Sequence, residues 1–201
     1  MLDVAVIDES SAATAMLEPT RAQLLHELAV PASATTLAAS LGLSRQKVNY
    51  HLRGLEKHGL IELVEERRKG NMTERVMQAT AMAYVISPSA CSPVAPDPSR
   101  FPDRLSARWL LAVASRLVQD VGDLISAGNE AEKRVGTFAI DGEIRFASAT
   151  ERAAFAKELS DAVAGLAAKY HDEGTPRGRR HRLVVAMHPS MNQAKEGRDG
   201  A

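Results

Sequence analysis

The sequence predicts an α+β protein, mainly helical: two helices joined by a glycine turn, a hairpin, then a long helix and a small helix-strand-helix-strand domain. Three observations predict it. Apolar residues recur at helical spacing on both sides of Gly42, an alternating stretch doubles back through a basic turn, and a proline-dense segment separates two sets of periodic elements.

Leu37, Ala38 and Leu41 form the apolar set before Gly42, and Val48, Leu52 and Leu55 the set after it. Gly42 supplies the left-handed backbone position of a tight reversal, and Leu43 fills the corner. Ser44 is the expected N-cap of the second helix and Gly59 its stop, with Lys57 and His58 placed to favour the negative dipole end. Turned away from the apolar stripe are Arg45, Gln46, Asn49, Tyr50 and Arg53. In a helix-turn-helix, the N-terminal half of the second helix enters the major groove. Arg matches the acceptors of guanine, and Gln and Asn match the donor-acceptor pair of adenine. Ser44 and His51 complete the expected DNA-reading set, with two uses open for His51: a DNA contact, or a buried polar support.

Residues 60–66 alternate into a strand, Arg67, Arg68, Lys69, Gly70 and Asn71 make a basic turn, and residues 73–80 return. A hairpin with a cationic tip beside a recognition helix is a wing. Arg67, Arg68, Lys69 and Asn71 are its expected contacts to phosphate or the minor groove, adding affinity more than sequence information.

Residues 17–80 resemble the ArsR-type winged helix-turn-helix regulators. The pattern is Ser44 near the start of the recognition helix, the pair His51-Leu52, Leu55 three residues on, and Gly59-Leu60-Ile61 opening the wing. The resemblance implies a homodimer that binds an imperfect inverted repeat in double-stranded DNA near a promoter and releases it on sensing a ligand. Many such proteins sense metals through a Cys-x-Cys pair at the first helix of the motif, or through Asp and His on a C-terminal helix. This chain departs from both: residues 32–41 hold no cysteine and residues 105–126 no histidine. No metal and no cofactor is expected.

With 201 residues and a 45% apolar content, the chain can hold one ordinary domain and a smaller one. Its formal net charge of zero conceals an acidic opening (Asp3, Asp8, Glu9, Glu18, Glu27) and a cationic recognition helix and wing. No secretory leader pattern opens the chain and no run of about 18 apolar residues interrupts it, so a cytoplasmic protein without a membrane segment is expected. The single cysteine, Cys91, agrees with a reducing compartment.

The expected domains are 1–86 (winged helix-turn-helix), 87–103 (an extended proline-rich linker, with Cys91 a spectator), 104–188 (an α+β domain for dimerisation or effector binding) and 189–201 (a disordered tail). Residues 105–126 read as a long helix, with Leu105, Trp109, Leu110, Val113, Leu117, Val121, Leu124 and Ile125 opposite Arg108, Ser115, Gln119 and Asp123. A stripe this broad must bury against something, either within the C-terminal half or in a dimer.

Asp141-Gly142 is a hairpin signal, but a two-residue turn there mixes apolar and charged side chains on each face. One long strand over 135–147 instead aligns Phe138, Ile140, Ile144 and Phe146. Ser148 and Glu151 form a capping box before a helix with Phe155, Leu159, Val163, Leu166 and Tyr170 at core spacing, and residues 182–188 read as a last strand. Two strands are marginal alone and must lean on helices or pair across a dimer. Trp109, Phe138, Phe146, Phe155 and Tyr170 are either plain core or a pocket for a small apolar ligand. His171, Asp172, Glu173, His181 and His188 match no metal spacing, and the chain has neither a nucleophile elbow nor a phosphate loop, so an enzyme is not expected. The sequence thus points to a dimeric repressor binding DNA; the alternative is a winged-helix interaction module whose work is done in the C-terminal domain.

Overall fold

In the computed structural model, the described residues are 1–69, 72–176 and 178–190. They divide into two compact units, Met1–Gly136 and Thr137–Ala201.

The first unit begins with elements whose periodicity is too short to declare itself in sequence. Strand β1 (Leu2–Ile7) pairs in parallel with β5 (Ala81–Ile86), from Leu2 opposite Ala81 to Ile7 opposite Ile86. Helix α1 (Ser10–Leu17) buries only alanines: Ala12, Ala13 and Ala15. Helix α2 (Pro19–Glu27) starts where Glu18 accepts from the backbone N–H groups of Thr20 (3.2 Å) and Arg21 (2.9 Å), with Pro19 in the first turn, where no N–H is missed.

The short strand β2 (Ala32–Ser33) runs into α3 (Ala34–Leu41), capped by Ser33, whose Oγ accepts from the Thr36 N–H at 3.3 Å. Gly42 takes φ 64°, Leu43 packs against the core, and α4 (Arg45–Lys57) follows with Ser44 as its cap. Gly59 takes φ 66° and ends it. Strands β3 (Ile61–Lys69) and β4 (Met72–Ala79) form the hairpin, and β2 extends the sheet in the order β2-β4-β3. Register slips between Leu63 and Glu65, a bulge beyond which both strands leave the core and point outward. Leu24, Leu28, Leu37, Val48 and Leu55 are fully buried where α2, α3 and α4 meet.

The expected extended linker is folded. Pro88–Cys91 and Pro98–Arg100 are 3₁₀ turns in which proline takes the first turn; Ser87 caps one and Asp97 the other. Ser87 is itself buried, so residues 87–103 are part of the first unit and not a spacer between domains. Proline excluded helix and sheet here, as expected, but 3₁₀ turns tolerate it. Helix α5 (Ala107–Glu130) belongs to the same unit and is capped by Ser106, whose Oγ accepts from the Trp109 N–H at 3.1 Å. It packs on β1 where Gly122 leaves no side chain: a Cβ there would stand 3.0 Å from Val6 Cγ1.

The second unit contains α6 (Ala149–Tyr170), opened by the expected pair: Ser148 accepts from the Glu151 N–H, and Glu151 accepts from the Ala147 N–H, each at 3.1 Å. The two expected strands are not formed. Residues 135–147 and 182–188 make no ladder among the described residues: a strand pattern does not by itself supply the neighbouring strand that a sheet needs. The expected tail beyond Ser190 lies outside the described residues.

Candidate nucleic-acid interface

Helix α4 divides cleanly. Val48, His51, Leu52 and Leu55 turn inward, and Arg45, Gln46, Lys47, Asn49, Tyr50 and Arg53 are exposed. Ser44 is exposed too, but its hydroxyl is engaged in capping, accepting from the Lys47 N–H at 3.2 Å.

His51 departs from the expected reading set. It is only 7% exposed, so of its two open uses the structure places it in the buried one. Its Nδ1 lies 3.3 Å from Glu18 Oε2 without hydrogen-bond alignment, and its ring meets Tyr50 edge to face. Burial raises the Glu18 pKa, but the N–H groups of Arg21 and Thr20, the Thr20 hydroxyl and His51 together hold it below the ordinary value. The corner between α1 and α2 is thus tied to the middle of α4. Arg21 adds a second tie, its guanidinium against Gly54, where a Cβ would come within 2.9 Å.

The other end of α4 is fixed to the wing. Arg75 on β4 donates two hydrogen bonds to Glu56, at 3.1 and 2.6 Å. These lower the pKa of Glu56 and raise that of Arg75. Ser33 donates to Glu74 at 2.7 Å, joining the start of α3 to the same strand. Between these ties Arg45, Asn49 and Arg53 line a cleft of about 140 Å³ together with Thr73 and Arg75.

The wing is less uniformly cationic than expected. Arg67 is held by Glu65, with nitrogens 2.9 and 2.8 Å from Oε2, so part of its charge is met within the strand. Glu62 and Glu66 are exposed on the same strand, as is Arg68. The side chain of Lys69 and the whole of Asn71 lie outside the described residues.

Of the four expected aromatics in the second unit, two meet. Phe146 and Phe155 touch, with ring centroids 5.3 Å apart. Phe138 is 87% exposed and Tyr170 73%, the latter under Lys169 Nζ at 5.0 Å, while Trp109 is half-buried on α5 in the first unit. A cleft of about 310 Å³ lies instead between the proline-rich turns and α5, lined by Ser89, Ser92, Asp97, Arg100, Arg116 and Gln119 among others. Among the described residues no group of three or more His, Cys, Asp or Glu could hold a metal, and no helix is long and apolar enough to cross a membrane.

Sequence reasoning missed the residues that position α4: Glu18, Arg21, Ser33, Glu56 and Arg75. Two of them were signalled. An acid directly before Pro19, and Ser33 three residues before Thr36, are both cap patterns.

A family model described as a helix-turn-helix domain matches residues 16–64, the span from the end of α1 to the first residues of β3. These residues are a helix-turn-helix domain. With its wing it has the arrangement of a DNA-binding winged helix-turn-helix. The domain is similar to solved structures of regulators. HlyU from Vibrio cholerae N16961 is 25% identical over 35% of this chain and 74% of its own, with a TM-score of 0.28. The transcriptional regulator HlyU from Vibrio vulnificus CMCP6 is likewise 25% identical over 35% of this chain and 71% of its own, with a TM-score of 0.28. A "possible transcriptional regulatory protein" from Mycobacterium bovis, a fragment of residues 1–100, is 19% identical over 57% of this chain and 89% of its own, at a TM-score of 0.30. No curated protein matches the chain.

Proposed function

We propose that the chain is a dimeric, sequence-specific transcriptional repressor of ArsR type that reads an imperfect inverted repeat and releases it when an effector binds. The observation that carries this reading is the exposed row Arg45, Gln46, Asn49 and Arg53 on a helix whose opposite face is locked into the core. Base-edge donors on a rigid support match direct readout.

Helix α5 supports the dimer. Its buried side holds Ala112, Val113 and Gly122, and its charges Arg108, Arg116 and Asp123 lie on that same half of the helix. The other half is apolar: Ala107, Leu111, Ala114, Val118, Val121 and Ile125 alternate four- and three-residue steps, and Leu111 is 65% exposed. Such a seam fits a second helix of the same kind. For the effector, the cleft beside α5 sets Asp97, Arg100, Arg116 and Gln119 among Pro93, Ala95, Pro96 and Pro98, and so suits a small molecule with both polar and apolar parts; α5 forms one of its walls.

Selection of bound fragments from random DNA tests the reading. An inverted repeat with half-sites about 34 to 36 Å apart, or a multiple of that, is the expected result. Arg45→Ala then costs about 1 to 3 kcal/mol and relaxes one base preference, while Arg68→Ala weakens all sequences alike and flattens the salt slope by about one unit. A flat selection profile refutes sequence-specific regulation. A second reading, a protein-interaction module, draws on the acidic Glu62, Glu65 and Glu66 beside the recognition helix; a flat profile together with unchanged binding in Arg45→Ala favours it.

A further inference from the structure

Among the described residues of the second unit, none is buried. Helix α6 keeps Phe155, Leu159 and Val163 half-covered, Phe155 against Phe146, but its later apolar positions Leu166 and Tyr170 stand in water. Ordering a residue costs about 1 to 2 kcal/mol of backbone entropy, and a unit without buried side chains has little hydrophobic gain to offset it.

The exposed residues are patterned. Phe138, Ile140 and Ile144 stand exposed at even steps along one extended segment, with Gly142 between the last two, and Leu183, Val185 and Met187 stand exposed within the continuous apolar run 183–187 of the other. Side chains two apart share one face of a strand, and short apolar runs of this length fit strands with a covered face. The segments come together at one point, where Ser190 donates to Glu143 at 3.1 Å, and still form no ladder. Their net charges are opposite in sign: Asp141 and Glu143 outweigh Arg145 on the first, and Arg182, with Arg179 and Arg180 just ahead of it, makes the second cationic, with no acid between 178 and 188.

We propose that residues 137–147 and 181–188 become strands only by pairing with the same segments of a second copy of this chain, giving one sheet backed by two α6 helices. A two-fold axis sets the acidic segment of one copy against the basic segment of the other, and segments that form no ladder alone become a four-stranded sheet. The four outward rows of apolar side chains then meet each other and the α6 ends that Leu166 and Tyr170 leave uncovered. This inference rests on the two-copy assembly proposed above but not on α5, and it assigns to the second unit an interface of its own.

The test is amide hydrogen exchange on the full chain, free of DNA, at concentrations above and below its dimer transition. The expected result is slowing of at least tenfold across 138–146 and 182–188 at the higher concentration only. Fast exchange at both concentrations overturns the proposal, as does equal protection at both. Ile140→Glu combined with Leu183→Glu changes two side chains that are exposed in the single chain, 86% and 69%, and so leaves its fold intact. It is expected to abolish that protection and weaken dimerisation tenfold or more; retained protection overturns the proposal. Loss of site-specific DNA binding with protection intact refutes the DNA reading alone, and lost protection with half-site binding intact separates the two.

Discussion

Helices α4 and α6 both start at a serine cap and both carry an apolar face at helical spacing, yet only α4 has somewhere to put it. The inward face of α4 meets Leu24, Leu28 and Leu37 and becomes buried along its length; α6 has no buried residue. The difference teaches that caps and periodicity set local structure, whereas stability is decided by what stands opposite. The first unit supplies that within one chain, and the second does not.

Substitutions can break this contrast in order of expected size. Leu55→Ala empties a fully buried site on α4 and is expected to destabilise by about 2 to 5 kcal/mol in denaturant unfolding, where an equal truncation on the single-chain α6 is nearly silent. Gly122→Leu pushes into Val6 and is expected to cost about 1 to 3 kcal/mol, with β1 becoming sensitive to protease, because backbone and strand approach too closely for a side chain. Ser33→Ala removes the cap of α3 and the bond to Glu74 together, and is expected to lower the unfolding free energy by about 0.5 to 2 kcal/mol.

Glu56→Gln is expected to cost under about 1 kcal/mol, since the pair with Arg75 is well exposed to solvent. Its pH dependence has a definite sign. The folded pKa of Glu56 lies below the ordinary 4.5, so the pair's contribution is fully present above pH 4.5 and is lost as pH falls through the folded value. Glu18 acts in the same direction. Unfolding curves of parent and Glu56→Gln should therefore converge below pH 4.5. Smallest of all, Tyr170→Ala is expected to leave the stability of the dilute chain unchanged within about 0.5 kcal/mol and to have its effect only where dimers form.

Legibility followed the range of the interactions. Ser44, Gly42 and Gly59 act on their immediate neighbours, so their roles could be read directly. The same holds for Ser148 with Glu151. Parallel pairing of β1 with β5 links residues about eighty apart in sequence, from Leu2 to Ala81, and neither strand is long enough to signal it. The proline-rich segment misled in a different way: proline density excludes helix and ladder, but says nothing against 3₁₀ turns packed on a neighbouring helix. The long strand expected over 135–147 was a sound pattern without a partner. In the candidate interface, the outward row on α4 was legible because a helix shows opposite faces at fixed steps, while Glu18, Arg21 and Arg75 reach α4 only through the fold.

The amino-acid sequence by itself determined the helix-turn-helix, its caps, the hairpin and the outward polar row on α4, because each depends on residues within a few positions of one another. Tertiary structure alone decided that His51 turns to Glu18 rather than outward, that the wing shares its arginines with glutamates, and that α5 leaves Leu111 and Val118 exposed. Those outcomes depend on which surfaces meet in space, and side chains distant in the chain set both the burial and the charge that each one feels.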